Sequence, residues 1–239
     1  SVPDFAVKDL LLSHFRSHRR TALVFDGRPV ALYGPNGAGK TTLFNLVAGT
    51  VQRVVNGVIG LLATGGSTNH TIHLIAIARA AGIIINWDDM SDLSAIVPLI
   101  TRMYPNGAAD VNHFHAAGGM GFVIRTLLDN NLLHEDVQTI IGKGMRSYTQ
   151  EPKIQDGMLV WQEGATQSLN LSIIRPASEP FTADGGIKLL KGNLGRAVIK
   201  TAAVAPEHRI VEASAIVFYE QADLIAAFKR GELDKDFIA

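Results

Sequence analysis

Residues 34–41 read Gly-Pro-Asn-Gly-Ala-Gly-Lys-Thr, and no other feature so narrows what the surrounding chain can fold into. A loop spaced G-x-x-x-x-G-K-[ST] works only between a strand and a helix. Its glycines let backbone N–H groups turn inward around a phosphate, and the following helix presents its positive end to the same anion. In that frame Gly34, Asn36, Gly37, Gly39, Lys40, Thr41 and Thr42 are the candidate nucleotide- or phosphate-binding residues. Lys40 would neutralise terminal phosphate oxygens, and the Thr41 hydroxyl would hold Mg²⁺. The flanks fit: residues 29–33 predict a strand, and Leu43, Phe44, Leu46 and Val47 predict a helix that stops at Gly49.

Upstream, Leu10, Leu11, Leu12 and Phe15 predict a short helix over residues 9–18. Residues 21–25 predict a strand forming a hairpin with residues 29–33 across Asp26-Gly27. Downstream of Thr50 the apolar residues 54–63 run into Thr64-Gly65-Gly66-Ser67-Thr68-Asn69. Helices are expected over 68–81, stopped by Gly82, and over 92–103, 122–130 and 134–142, with a short buried strand at 83–85. From about residue 155 short strands take over, at 157–161, 188–190, 197–201 and 209–219, with turns at Gly185-Gly186 and Gly192-Asn193. A last helix is expected over 221–229. The fold class is therefore α/β first and β-rich later.

The chain has 239 residues, 47% hydrophobic and 18% charged, enough to bury a core without staples. Lys plus Arg and Asp plus Glu both number 22, so no basic footprint marks a nucleic-acid partner or an anionic membrane. No apolar run reaches the ~18–20 residues that cross a bilayer, and no leader pattern opens the chain, so a cytoplasmic protein is expected. There is no cysteine. Disulfides, thiolate zinc sites and Cys-ligated iron–sulfur clusters are thereby excluded within the chain itself.

The wording Gly-Pro-Asn-Gly-Ala-Gly-Lys-Thr-Thr-Leu over residues 34–43 closely resembles the ATP-binding subunits of ABC transporters. That family also carries a Leu-Ser-Gly-Gly-Gln signature and an apolar run ending in Asp-Glu. Neither is present; Ile83-Ile84-Ile85-Asn86-Trp87-Asp88-Asp89 comes nearest, interrupted by Asn86. The resemblance, over residues 20–50, implies nucleotide or phosphate binding with Mg²⁺ and not ATP turnover.

A different likeness begins at Arg53. Residues 54–70 run through Gly65-Gly66-Ser67-Thr68-Asn69 and are similar to the corresponding segment of the dihydroxy-acid and 6-phosphogluconate dehydratases. Ile85-Asn86-Trp87-Asp88-Asp89, Tyr104-Pro105-Asn106-Gly107 and Asp110-Val111-Asn112-His113-Phe114 resemble the sugar-acid branch. Gly185-Gly186 and residues 192–202 resemble the entry to that family's C-terminal β-barrel. The resemblance implies a dimeric cytoplasmic hydro-lyase acting on 6-phospho-D-gluconate with an iron–sulfur cluster and Mg²⁺. It also implies an incomplete dehydratase α/β domain leading into a partial β-barrel, preceded by the strand–P-loop–helix unit. The expected parts are residues 1–52, 53–178 and 179–239.

The family's cluster cysteines and most of its Mg²⁺ ligands precede the Gly-Gly-Ser-Thr-Asn segment, where this chain carries the phosphate loop instead. Its later Gly-Met-Pro-Glu and Asp-Gly-Arg-Leu-Ser-Gly motifs would fall beyond Ala239. No catalytic residue and no metal ligand carries over, so an inactive dehydratase portion is expected. Gly66, Ser67, Thr68, Asn69 and His70 remain as substrate-pocket candidates, a glycine-rich turn opening a helix, with Ser67 or Thr68 as a plain helix cap the alternative. His70 with His73, and His113 with His115, could together line a metal; pocket wall or surface is the preferred reading. Asp88 and Asp89 are read as solvated rather than as an acid–base pair. Two other identities stay open: an ATP-binding P-loop module carrying a passenger, and a recombined or artificial chain joined near residues 50–53. The partner is accordingly a phosphorylated sugar acid or a nucleotide.

Overall fold

The computed structural model describes residues 9–15, 18–24, 40–104 and 106–238, with side chains from residue 49 onward. Strand β1 (Asp9–Phe15) pairs antiparallel with β2 (His18–Val24), from Asp9 opposite Val24 to Phe15 opposite His18. The helix expected over 9–18 is therefore a strand. Leucine's helical preference amounts to only tenths of a kcal/mol, and pairing with a neighbouring strand overrides it. The hairpin expected about Asp26-Gly27, and the loop itself at residues 34–39, lie outside the described residues.

Helix α1 (Lys40–Ala63) runs through Gly49 without stopping. An internal glycine costs about 1 kcal/mol. That is small beside the burial of Val54, Val55, Val58, Ile59, Leu61 and Leu62, which make the second half of α1 the centre of the core. Asn56, on the same buried half, accepts from the His134 amide (2.9 Å) and donates to the His134 carbonyl (2.8 Å), tying a loop 78 residues away to the helix. α1 ends in a Schellman arrangement: Gly65 N donates to Leu62 O (3.1 Å) and Gly66 N to Leu61 O (2.9 Å), with Gly65 at φ 59°.

α2 (Thr68–Ala80) starts at the Ser67 cap and closes as expected at Gly82. Residues 83–85 make no strand. Ile83 and Ile85 are buried in the core as a connector leading to α3 (Trp87–Ile96). α3 begins five residues before the expected Asp92, because Asn86 and Asp89 form a complete capping box. It also ends early. Val97 precedes Pro98 and is extended at φ −92°, ψ 117°, as the proline ring requires of its predecessor. Residues 99–103 continue as an extended segment bridged to Ile174 and Thr182.

The capping carboxylate of Asp110 starts α4 (Val111–Ala116), which brings His113 and His115 onto a short helix rather than a strand or loop. Gly118 and Gly119, at φ 126° and 57°, make the corner into α5 (Gly119–Asp129). The expected helix over 134–142 is replaced by β3 (Gln138–Thr139) and β4 (Gly142–Lys143). Val137, Thr139, Ile140 and Ile141 are β-branched and favour extended backbone, and Gly142 sits at φ 134°.

β5 (Gln150–Gln155) and β6 (Met158–Glu163) close over Asp156-Gly157, both at positive φ. β7 (Ile187–Gly192) and β8 (Gly195–Lys200) form a second hairpin, with the turn where Gly192-Asn193 marked it. Among the described residues these are separate two-stranded ladders, and none closes into a barrel. Residues Val204–Ala239 form a compact unit of their own. Within it β9 (Ser214–Ala215), all that remains of the strand expected over 209–219, pairs parallel with β10 (Phe237–Ile238), and α6 (Gln221–Lys229) lies between them in sequence where it was expected. The result is a mixed α/β chain whose described strands pair in small two-stranded sheets.

Candidate functional site

The turn from α1 to α2 is held from three sides. The last carbonyls of α1 have no partner within the helix, and the extended segment supplies them: Ile100 N donates to Ala63 O (2.9 Å), and Thr101 Oγ1 donates to Thr64 O (2.9 Å). Asn106 Nδ2 donates to Gly65 O (2.5 Å). Lys200 Nζ, from the end of β8, donates to Gly65 O (2.7 Å) and Gly66 O (2.8 Å).

The placement of Lys200 depends on α3. Ser94 is fully buried; its Oγ accepts from Ile187 N (3.0 Å) and its carbonyl from Gly185 N (2.8 Å), which fixes where β7 begins. Asp88 then grips the hairpin by ion pairs with Lys191 Nζ (2.9 Å) and Arg196. Hydrogen bonds from Lys191 and Arg196 hold the Asp88 carboxyl below its ordinary value of 3.8. Clamped this way, β8 delivers the Lys200 ammonium to the C-terminal, negative end of α1, where a cation is favoured. Burial pushes the Lys200 ammonium below the usual lysine range.

Gly65 has no substitute in this arrangement. A Cβ there would stand 1.9 Å from Asn106 Nδ2 and 2.9 Å from Leu99 Cδ1. Gly66 is nearly as confined, with Leu61 Cδ1 at 2.5 Å. The turn thus places the negative end of one helix, neutralised by Lys200, next to the positive end of the next. Ser67, Thr68, Asn69 and His70 sit at that second end, exposed to solvent. Ser67 acts as the cap, its Oγ accepting from Asn69 N at 3.2 Å. Such an arrangement can bind an anion and offers no acid–base pair of its own.

The remaining candidates are not gathered here. His70 and His73 are exposed on α2; His113 pairs with Asp110 at 2.9 Å, and His115 is exposed. Among the described residues no three His, Asp or Glu side chains group as a metal site. Asp89 is committed to its cap and Asp88 to its ion pairs. Lys40, Thr41 and Thr42 open α1, while Gly34, Asn36, Gly37 and Gly39 lie outside the described residues. Lys200 and Asn106 were absent from the expected site. Both stand inside blocks singled out in the sequence, but neither shows a spacing that ties it to Gly65, 135 and 41 residues earlier.

Comparison with known proteins gives three matched regions. Residues 47–148 match the family model described as dihydroxy-acid/6-phosphogluconate dehydratase N-terminal, and residues 172–239 match its C-terminal counterpart. Residues 9–50 match a model described as an AAA domain. The chain is 61% identical over 188 residues to the phosphogluconate dehydratase of Pseudomonas aeruginosa, which is 79% of this chain and 31% of that protein. It is 57% identical over 185 residues to the Escherichia coli phosphogluconate dehydratase, again covering 77% of this chain and 31% of the relative. To the dihydroxy-acid dehydratase of Acetivibrio thermocellus it is 35% identical over 176 residues, or 73% of this chain and 29% of that one. The chain therefore spans about a third of the length of the curated relatives it matches.

Proposed function

Because residues 47–239 belong to the dihydroxy-acid/6-phosphogluconate dehydratase family, we propose that they are scaffold of a 6-phosphogluconate dehydratase that binds its sugar acid without transforming it. The whole reaction is the removal of water from 6-phospho-D-gluconate to give 2-keto-3-deoxy-6-phosphogluconate, in the Entner–Doudoroff sequence. The observation that carries the reading is the gap between 61% identity to a phosphogluconate dehydratase and 35% to a dihydroxy-acid dehydratase. Gly66, Ser67, Thr68, Asn69 and His70, at the positive end of α2, are the residues proposed to meet an anionic end of the substrate.

The family implies an iron–sulfur cluster and Mg²⁺, and the residues present do not fit either. The sequence contains no Cys, and no three His, Asp or Glu side chains gather among the described residues. Abstraction of the C2 proton and loss of the C3 hydroxyl are therefore proposed to lack their metal machinery among the described residues. Incubation with 6-phosphogluconate is expected to yield no 2-keto acid, while calorimetry detects binding. Turnover by the chain alone would overturn this reading. A dimer in the cytoplasm is proposed from the same likeness; no described helix is long and apolar enough to cross a membrane.

The AAA-domain match over residues 9–50 favours a second, separate reading, in which the loop at 34–41 binds a nucleotide with Mg²⁺. The two matched stretches meet at residues 47–50, inside the unbroken helix α1. A recombined chain, joined near residues 50–53, accounts for both. ATP titration should show binding that Lys40→Ala abolishes; equal affinity in the two proteins would remove the nucleotide from the picture.

A further inference from the structure

Arg102 and Arg175 stack on one ring. Their guanidinium carbons lie 4.8 and 4.4 Å from the centroid of Phe181. The backbone fixes all three. Arg175 N donates to Ile100 O (2.8 Å), Arg102 N to Ile173 O (2.8 Å), and Phe181 N to Leu99 O (2.9 Å), so the extended segment holds both neighbouring stretches in register. Gly107 adds to this: a Cβ there would stand 2.8 Å from Arg102 O, so the chain after Arg102 turns back tightly against it.

Among the described residues the two cations have no carboxylate partner. Arg125, Arg146, Arg196 and Arg230 each lie against a carboxylate. Among the described residues no carboxylate comes within 4.0 Å of Arg102 or Arg175, and their side chains have one acceptor there, Leu171 O, 3.2 Å from Arg175 Nε. Stacking on an aromatic ring compensates the face of a guanidinium and leaves its N–H donors for an anion, of which Arg175 spends only Nε, on Leu171 O. One ring on hydrogen-bonded backbone thus holds two guanidinium groups, each a planar fork of the kind that takes a phosphate in bidentate fashion.

We propose that Arg102 and Arg175, held by Phe181, form a binding site for the phosphate group of a phosphate monoester. The site itself is independent of the dehydratase reading; only the carrier of the phosphate, a phosphorylated sugar acid, rests on it. The sequence also offers the phosphate loop at 34–41 as a phosphate binder, and Lys40→Ala serves as the background in which that loop is disabled.

Calorimetry on the full chain in that background would use inorganic phosphate, 6-phosphogluconate and gluconate as probes. Phosphate and 6-phosphogluconate should both bind, gluconate about tenfold more weakly or worse, and the pair Arg102→Gln with Arg175→Gln should weaken phosphate by about tenfold or more. Arg102→Gln alone, at an exposed position, should lose part of the affinity with an unchanged melting temperature. Absence of phosphate binding, or equal phosphate affinity in the double variant, overturns the proposal. If 6-phosphogluconate binds equally to both proteins, the arginine site falls and the dehydratase reading stands. If phosphate binding depends on the arginines but 6-phosphogluconate does not compete for it, the site stands and its assignment to a phosphorylated sugar acid falls.

Discussion

Gly65 is the residue on which the candidate site turns. Its φ of 59° is the left-handed region, and the absence of a side chain admits Asn106 to within hydrogen-bonding distance of its carbonyl. Gly65→Ala should cost the ~1–2 kcal/mol of a left-handed non-glycine backbone, with displacement of Asn106 added to that. Denaturant unfolding would read it; a loss below half a kcal/mol would mean that the turn rearranges freely. The residues beside it differ in how visible they are. The Gly-Gly-Ser-Thr-Asn run announces a turn opening a helix, and the structure bears that out with Ser67 as the cap. Lys200 carries no such mark, since its role exists only once β8 lies against the end of α1.

Among the elements, α3 shows both how local chemistry sets a boundary and how it can be misjudged. Asn86 and Asp89 cap the helix and Pro98 ends it, three residues plainly visible in the chain, yet the apolar spacing of Leu93, Ile96, Val97 and Ile100 suggested a helix shifted toward 92–103. Ile100 is buried because residues 99–103 lie extended beneath their neighbours, not because they share a helix face. Asn86→Ala should destabilise the protein by about 1 kcal/mol, the usual cost of losing an N-cap, as a lowered denaturant midpoint would show.

The same helix carries a pH signature. The Asp88 carboxyl is held below 3.8 by Lys191 and Arg196, so its stabilising contribution is present above that pH. It fades as the pH falls through the lowered folded value. Asp88→Asn should therefore flatten the acid limb of the stability profile below about pH 4. An unchanged limb would show that the hairpin clamp contributes nothing measurable.

Taken whole, the molecule leaves a good deal of apolar surface in its separate hairpins. Ile154, Met158, Leu159 and Trp161 on β5 and β6 are each more than half exposed, as is Leu194 at the tip between β7 and β8. Two-stranded ladders with apolar faces and free edges favour association. Sedimentation at increasing concentration should show self-association, and Leu159→Lys with Trp161→Lys should reduce it; a monomer at all concentrations would show these faces to be inert.

The sequence by itself determined the elements whose signals are short-range. The Ser67 cap with its Gly82 stop, the Gly192-Asn193 turn and α6 are all readable from neighbours a few residues apart, and so is the family, because its blocks recur in order along the chain. Tertiary structure decided whatever depends on burial or on distant partners. β1 is a strand because β2 pairs with it, α1 passes Gly49 because its apolar half fills the core, and 99–103 is extended because Ile173 and Thr182 receive it. The Lys200–Gly65 contact and the arginine pair on Phe181 belong to that second group. Each joins stretches dozens of residues apart, and chain-local propensities of tenths of a kcal/mol cannot encode such a meeting.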